Sequence, residues 1–157
     1  MDLRCRKMTD ADLPAAAKLL KAFFAEDEFY LDSSGAYGDV GAPPIGRALD
    51  MFVRRPELGF VWLTYRGNEA VGICVVCYAI STSLGAVVAK LDDVFIADDA
   101  RGQGVGSAML EALGRELKAA DVLRIDTAVH VKNIEAARFY AKAGFKPLHE
   151  ERLALLL

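Results

Sequence analysis

At 157 residues the chain is long enough for one domain with a real core, and 54% hydrophobic against 26% charged residues is a globular, somewhat apolar composition. A net charge of −3 argues against a non-specific nucleic-acid binder, which is normally basic. The longest apolar run, residues 71–80, is too short to cross a bilayer, no apolar leader follows Met1, and three cysteines build no disulfide framework. Together these predict a cytoplasmic protein with neither a membrane nor a nucleic-acid partner.

In chain order, residues 3–8 alternate apolar and polar side chains as a half-buried strand does. Thr9, Asp10 and Asp12 supply helix-capping side chains and Pro14 is tolerated in a first turn. Leu13, Ala16, Leu19, Leu20, Phe23 and Phe24 then keep helical spacing to about Ala25. Residues 26–30 form an acidic and aromatic patch that reads either as a solvated helix end or as the wall of a cation-binding cleft. Residues 33–44, rich in glycine and proline, predict a loop, and residues 45–53 a second helix closed by Pro56.

Residues 59–65 and 70–80 read as strands joined by a hairpin turn at Arg66-Gly67-Asn68-Glu69, and residues 86–96 as the next strand. Residues 105–119 carry one apolar helical stripe through Leu110, Leu113 and Leu117. Residues 122–131 are strand-like, Asn133 caps a further helix, and Gly144 takes the position just past its end. Residues 145–148 and 152–157 can each add a strand. This order predicts an α/β sheet with helices on both faces.

Cys74 and Cys77 form a C-x-x-C, but positions three apart on a strand face opposite ways, so buried core thiols are expected rather than a metal or dithiol site. No metal is expected elsewhere: His149 has no ligand-like partner at a useful spacing, and His130 ends a strand at a loop or edge position from which it could also shuttle protons.

Chemistry concentrates at Asp98-Asp99-Ala100-Arg101-Gly102-Gln103-Gly104-Val105-Gly106-Ser107, between a strand and a helix. Three glycines in five residues let several backbone N–H groups converge on a ligand, and the helix start adds unpaired N–H groups and a positive dipole end. Such a site suits a phosphate or pyrophosphate. It is not a Walker loop, because no lysine precedes Ser107, and the G-x-G-x-G spacing is not the Rossmann G-x-G-x-x-G.

Two blocks together, Val94-x-Ile96-x-x-x-x-Arg101-Gly102-x-Gly104-Val105-Gly106 and Asn133-x-x-Ala136-x-x-Phe139-Tyr140-x-x-x-Gly144-Phe145, resemble the GNAT superfamily of N-acetyltransferases. The first is similar to its R/Q-x-x-G-x-G/A acetyl-coenzyme A signature, and the resemblance covers nearly the whole chain. One departure is Asp98, where a proline often stands; this bears on the rigidity of the turn and removes no ligand group.

The resemblance implies a mixed, mostly antiparallel sheet of six to seven strands, splayed in the middle, in a single domain spanning residues 1–157. It implies acetyl-coenzyme A as co-substrate, with the pyrophosphate held by amides of Gln103, Gly104, Val105, Gly106 and Ser107, beside Arg101 and Gly102. The pantetheine arm would lie along Val94, Phe95 and Ile96, near Asn133 and Ala136. A main-chain N–H of that strand would bond the thioester carbonyl. Asn133, Ala136 and Tyr140 share one helix face, and Tyr140 would give a proton to the leaving thiolate.

Asp92 and Asp93 stand beside this centre, and only one of them can point into the cleft. An acidic pair here is similar to the diamine and thialysine acetyltransferase branch, which implies a small cationic amine as acceptor. Asp92 would be the general base or amine anchor, with Asp93 and Glu28 as substrate contacts. Transfer to a protein or peptide amine, and a non-catalytic acetyl-coenzyme A sensor, are the alternatives. The resemblance also implies a homodimer, formed through the apolar tail at residues 153–157.

Overall fold

The computed structural model describes residues 2–38 and 41–157, without the side chains of residues 33, 34, 36 and 37. Its sheet has the order β1 (Leu3–Lys7), β2 (Gly59–Arg66), β3 (Glu69–Ser81), β4 (Ala86–Ile96), β5 (Ile125–Thr127). The first three pairings are antiparallel, β2–β3 and β3–β4 as hairpins and β1–β2 across the intervening helices, whereas β5 joins β4 parallel. The connection between those two runs through a helix, as a parallel pair requires. The expectation of six to seven mostly antiparallel strands is therefore corrected to five strands in a mixed sheet, among the described residues.

The missing strands are those expected at residues 145–148 and 152–157. Their residues have strand-like side chains, but no ladder forms, and Leu148, Leu153, Leu155 and Leu157 stay exposed. The strand expected over residues 122–131 contracts to β5, because its partner β4 turns away beyond Leu91.

Helices cover both faces. On one, α1 (Leu13–Glu26) and α3 (Ile45–Arg54) bury Ala16, Leu19, Leu20, Phe23, Ile45 and Leu49 against Val61, Leu63, Ile73, Val75 and Phe95. On the other, α4 (Val105–Ala119) lays Met109, Leu110, Leu113 and Leu117 on Phe60, Trp62, Cys74, Val76, Ala89 and Leu91. The helix α5 (Ile134–Lys142) joins this second core through Tyr140. Cys74 thus lies in one core and Cys77 against the other, and burial pushes both thiols up, away from reactivity.

The loop expected over residues 33–44 is partly helical: α2 (Glu28–Tyr37) runs into it, and residues 39–40 lie outside the described residues. Asp27 starts α2, its carboxylate accepting from the Tyr30 amide at 2.8 Å, and Tyr30 stacks on Phe24 with ring centroids 4.6 Å apart. Asp12 does not cap α1 through its side chain, as the sequence suggests. Its carboxylate instead points back to Arg6 on β1 and Tyr65 on β2, and so pins the start of α1 to the sheet.

Candidate active site

The β4–β5 ladder has three pairs, Ala89↔Ile125, Lys90↔Asp126 and Leu91↔Thr127, and then stops. From Asp92 to Ile96, β4 continues along β3 and, among the described residues, the β5 ladder does not continue, so the two parallel strands open into a fork. Its apex is the Leu91–Thr127 pair.

At the mouth of this fork β4 is bulged. Val75 stands opposite Asp92 and Ile73 opposite Phe95, so Asp93 and Val94 together oppose the single residue Cys74. Asp93 adopts φ 49°, left-handed backbone that a non-glycine residue takes at a cost of about 1–3 kcal/mol. The bulge breaks the ladder where the main chain faces the opening, and it was not visible in the sequence, because alternation persists on either side of it.

The bulge also settles the side-chain directions. Asp92 pairs with Val75, which belongs to the α1–α3 face, and its carboxylate lies 3.3 Å from Lys90 Nζ on that same face. Val94 and Ile96 turn instead to the α4–α5 face, and Phe95 to the α1–α3 core.

Beyond the fork, Asp98, Asp99 and Ala100 make one 3-10 turn and residues 101–104 a second tight turn into α4. Gly102 (φ 70°) and Gly104 (φ 79°) take left-handed backbone, which explains the alternating glycines. Among the described residues, the amides of residues 102–107 donate to no backbone carbonyl; the first helical bond there is Ala108 N–H to Gly104 C=O at 3.0 Å. A row of free N–H groups at a helix start fits an anionic diphosphate.

Arg101 shapes this turn. Its Nε donates to the Ile96 carbonyl at 2.8 Å, Nη1 meets the Asp98 carboxylate at 2.6 Å, and the guanidinium lies over the Phe95 ring. Asp98 thus holds the turn through its partner where a proline would have held it through its ring. Gln103 Nε2 closes the loop onto the Asp99 carbonyl at 2.8 Å.

Gly106 is needed for approach rather than for φ. A Cβ there would sit 3.2 Å from the Phe139 ring and 3.7 Å from Ile96. The strand end, the glycine turn and α5, separate in sequence, therefore meet at one point.

The α5 helix is built at both ends by its own residues. Asn133 Oδ1 accepts from the Ala136 amide at 3.0 Å, the expected cap, with Ala136 half-buried beside it. At the other end Gly144 (φ 96°) donates to Ala141 C=O and Phe145 to Tyr140 C=O, a Schellman closure that folds the Phe145 ring onto Tyr140. Phe139 and Phe145 flank the Tyr140 ring edge-on at 5.1 and 5.2 Å.

Thr127, the last paired residue of β5, lies beside the Tyr140 hydroxyl and donates its own hydroxyl to the Leu91 carbonyl at 3.4 Å. Burial pushes this phenol up to about 12, with lesser upward pushes from Cys74 and Asp92 and a downward one from Thr127. Tyr140 belongs to the α4–α5 core and Asp92 faces the α1–α3 side, so they flank the fork from opposite faces.

Glu28 is exposed at the start of α2, and nothing places it against Asp92. Two residues near the fork carry no motif: Thr127 and Asp32. The latter holds His130 at 2.6 Å. His149 is exposed in the tail. A cavity of about 700 Å³ between β1, the β2–β3 turn and α4 contains none of these site residues.

The family description "Acetyltransferase (GNAT) domain" matches residues 57–147, more than half of the chain. An integron cassette protein from the mobile metagenome of Cole Harbour salt marsh is 25% identical, with a TM-score of 0.79 over 98% of this chain and 90% of that one. A transcriptional regulator from Bacillus halodurans C-125 is 23% identical, with a TM-score of 0.79 over 99% of this chain and all of that one. An aminoglycoside acetyltransferase from an uncultured soil sample, solved with sisomicin, is 16% identical, with a TM-score of 0.73 over 99% and 94% of the two chains. The last two show likeness of fold. With the glycine turn, the fork and the matched domain in place, the chain belongs to the GNAT acetyltransferase family.

Proposed function

We propose that this chain is an acetyl-coenzyme A-dependent N-acetyltransferase acting directly on a small cationic primary amine. The observation that carries this reading is the bulged fork, with a buried phenol on one face and the Asp92 carboxylate on the other. Acetyl-coenzyme A, the family's acyl donor, supplies an activated thioester when bound.

The chain's own residues divide the work. Amides of residues 103–107 hold the diphosphate at the start of α4, with Arg101 and Gly102 setting the turn. A main-chain N–H of the Val94–Ile96 stretch would meet the acyl oxygen, where a preorganised donor stabilises developing charge. Asn133 and Ala136, joined in the cap of α5, would border the same opening. Tyr140 gives its proton to the sulfur as the C–S bond breaks and the C–N bond forms.

On the other face, an alkylamine with a pKa of ~10 must shed a proton before it can attack. Asp92 attracts the ammonium group and takes that proton, directly or through water, with Asp93 beside it and Glu28 at the start of α2 as a further contact. The sisomicin complex of the aminoglycoside acetyltransferase supports a polycationic acceptor by analogy of fold.

A free-thiol release assay with acetyl-coenzyme A against polyamines, thialysine, aminoglycosides and peptides tests this. Turnover is expected with polyamines; cofactor binding without turnover of any amine would establish a sensor instead. In the same assay Asp92→Asn should lower kcat/KM for the amine about tenfold or more, the smaller end of general-base contributions. An unmoved pH–rate profile in that variant would remove Asp92 as the base.

The exposed leucines at 153, 155 and 157 also support pairing of two chains, which sedimentation at micromolar concentration would show as a dimer and refute as a monomer.

A further inference from the structure

The helix α2 has no apolar face of its own and is held by ring contacts at two places. From one side Tyr30 packs on Phe23, with centroids 5.5 Å apart, and Phe23 in turn packs on Phe95 of β4 at 5.9 Å. On the other side Phe29 meets the His130 ring at 5.2 Å, and the Asp32 carboxylate lies 2.6 Å from His130 Nε2. His130 follows β5 by three residues, so α2 links the α1 ring cluster that rests on β4 to the loop after β5. It does so on the α1–α3 face, where Asp92 points.

The proton on His130 is assigned by its neighbours. The Lys132 amide donates to Nδ1 at 3.2 Å, so Nδ1 carries no hydrogen and Nε2–H donates to Asp32. Both ring nitrogens are therefore occupied, which leaves no free nitrogen for the proton shuttle the sequence allowed. Although Asp32 is largely exposed, the His130 side chain is 18% exposed and fixed at three points, unlike a loose surface ion pair.

We infer that His130 is a positioning residue: with Asp32 it latches α2 over the fork as the wall of the acceptor site. Its effect on turnover rests on the acetyltransferase reading above, whereas the latch itself does not. Neither residue touches the reacting atoms, and together they determine how tightly the amine is held.

Two measurements on the whole protein separate the possibilities. In the apoprotein, His130→Ala and Asp32→Ala should each speed amide hydrogen exchange across α2 about tenfold and leave α4 unchanged. Asp32→Asn keeps an acceptor for Nε2–H and should stay near wild type. Unchanged α2 exchange in His130→Ala overturns the latch, whether or not any amine is turned over.

In turnover, His130→Ala should raise KM for the amine about tenfold, with kcat and KM for acetyl-coenzyme A within about twofold. The double variant should add nothing further, since the two residues act as one unit. Additive losses, with Asp32→Ala the worse, would place Asp32 on the amine itself and overturn the positioning role. If wild type turns over no amine, the acetyltransferase reading fails and the exchange result alone sustains or overturns the latch.

Discussion

Replacing Tyr140 with phenylalanine is expected to lower kcat about 100-fold while leaving the KM for acetyl-coenzyme A within about twofold. The magnitude is that of losing a general acid at a leaving group. The split follows from packing. The ring of Tyr140 is held edge-on by Phe139 and Phe145, and the Schellman closure at Gly144 fixes the backbone beneath it, so a phenyl group keeps the same place. What is lost is one hydroxyl, at a cost in stability of about 1 kcal/mol or less.

The same environment supplies the pH dependence. Burial disfavours the phenolate, and with its titration pushed up to about 12 the group keeps its proton across the pH range of ordinary assays. It is therefore always poised to donate, and its ionisation should cause no fall in rate between about pH 6 and 10. An undiminished kcat in Tyr140→Phe, measured by thiol release under saturating substrates, would assign the proton to another donor.

How much of this site could be read from the sequence follows from which interactions are local. The glycine turn, the Asn133 cap and the Gly144 stop are encoded within a few residues of where they act, and each is found where its spacing places it. The turn's glycines answer two different needs. Gly102 and Gly104 take left-handed backbone, while Gly106 makes room for Phe139 arriving from α5. Spacing alone could not separate those reasons.

The features that were not legible depend on distant partners. The part of α2 from residue 33 onward reads as a loop because the helix's own residues, EFYLDSSGAY, offer no apolar stripe; Phe24 and His130 supply contacts that hold its first turn. Residues 122–131 have strand-like side chains throughout, yet only three pair, since the end of the ladder is set by where β4 bends at its bulge. The tail has strand-forming residues and no ladder. Propensity describes what a segment can do, and the partner decides whether it does so.

Replacing Asp12 with alanine is expected to cost about 2–3 kcal/mol, visible as a fall of about 5–10 °C in Tm. Asp12 is 5% exposed and collects five hydrogen bonds: two from Arg6 at 2.6 and 2.8 Å, one from the Tyr65 hydroxyl at 2.6 Å, and two from Thr9 at 2.7 and 2.9 Å. The charge is shared among strand β1, strand β2 and the turn into α1, so the loss leaves a buried tyrosine hydroxyl without its acceptor and frees the start of α1. Arg6 is about one-third exposed and can return to water, which keeps the cost below that of a fully buried pair.

Acid should reproduce part of the effect. The Arg6 guanidinium, followed by the Tyr65 and Thr9 bonds, holds this carboxyl well below the usual carboxylate range despite its burial. A carboxyl depressed in the folded state stabilises the protein at pH values above its unfolded pKa of about 4, and that contribution drains away as the pH falls below it. The Tm gap between wild type and Asp12→Ala should accordingly be widest near pH 7 and narrow toward pH 3. Since α1 carries Phe23, on which both Tyr30 of α2 and Phe95 of β4 rest, loosening its start should also raise the amine KM before it touches acetyl-coenzyme A binding on the opposite face. A gap that holds constant from pH 7 to pH 3 would mean that Asp12 stabilises by packing alone.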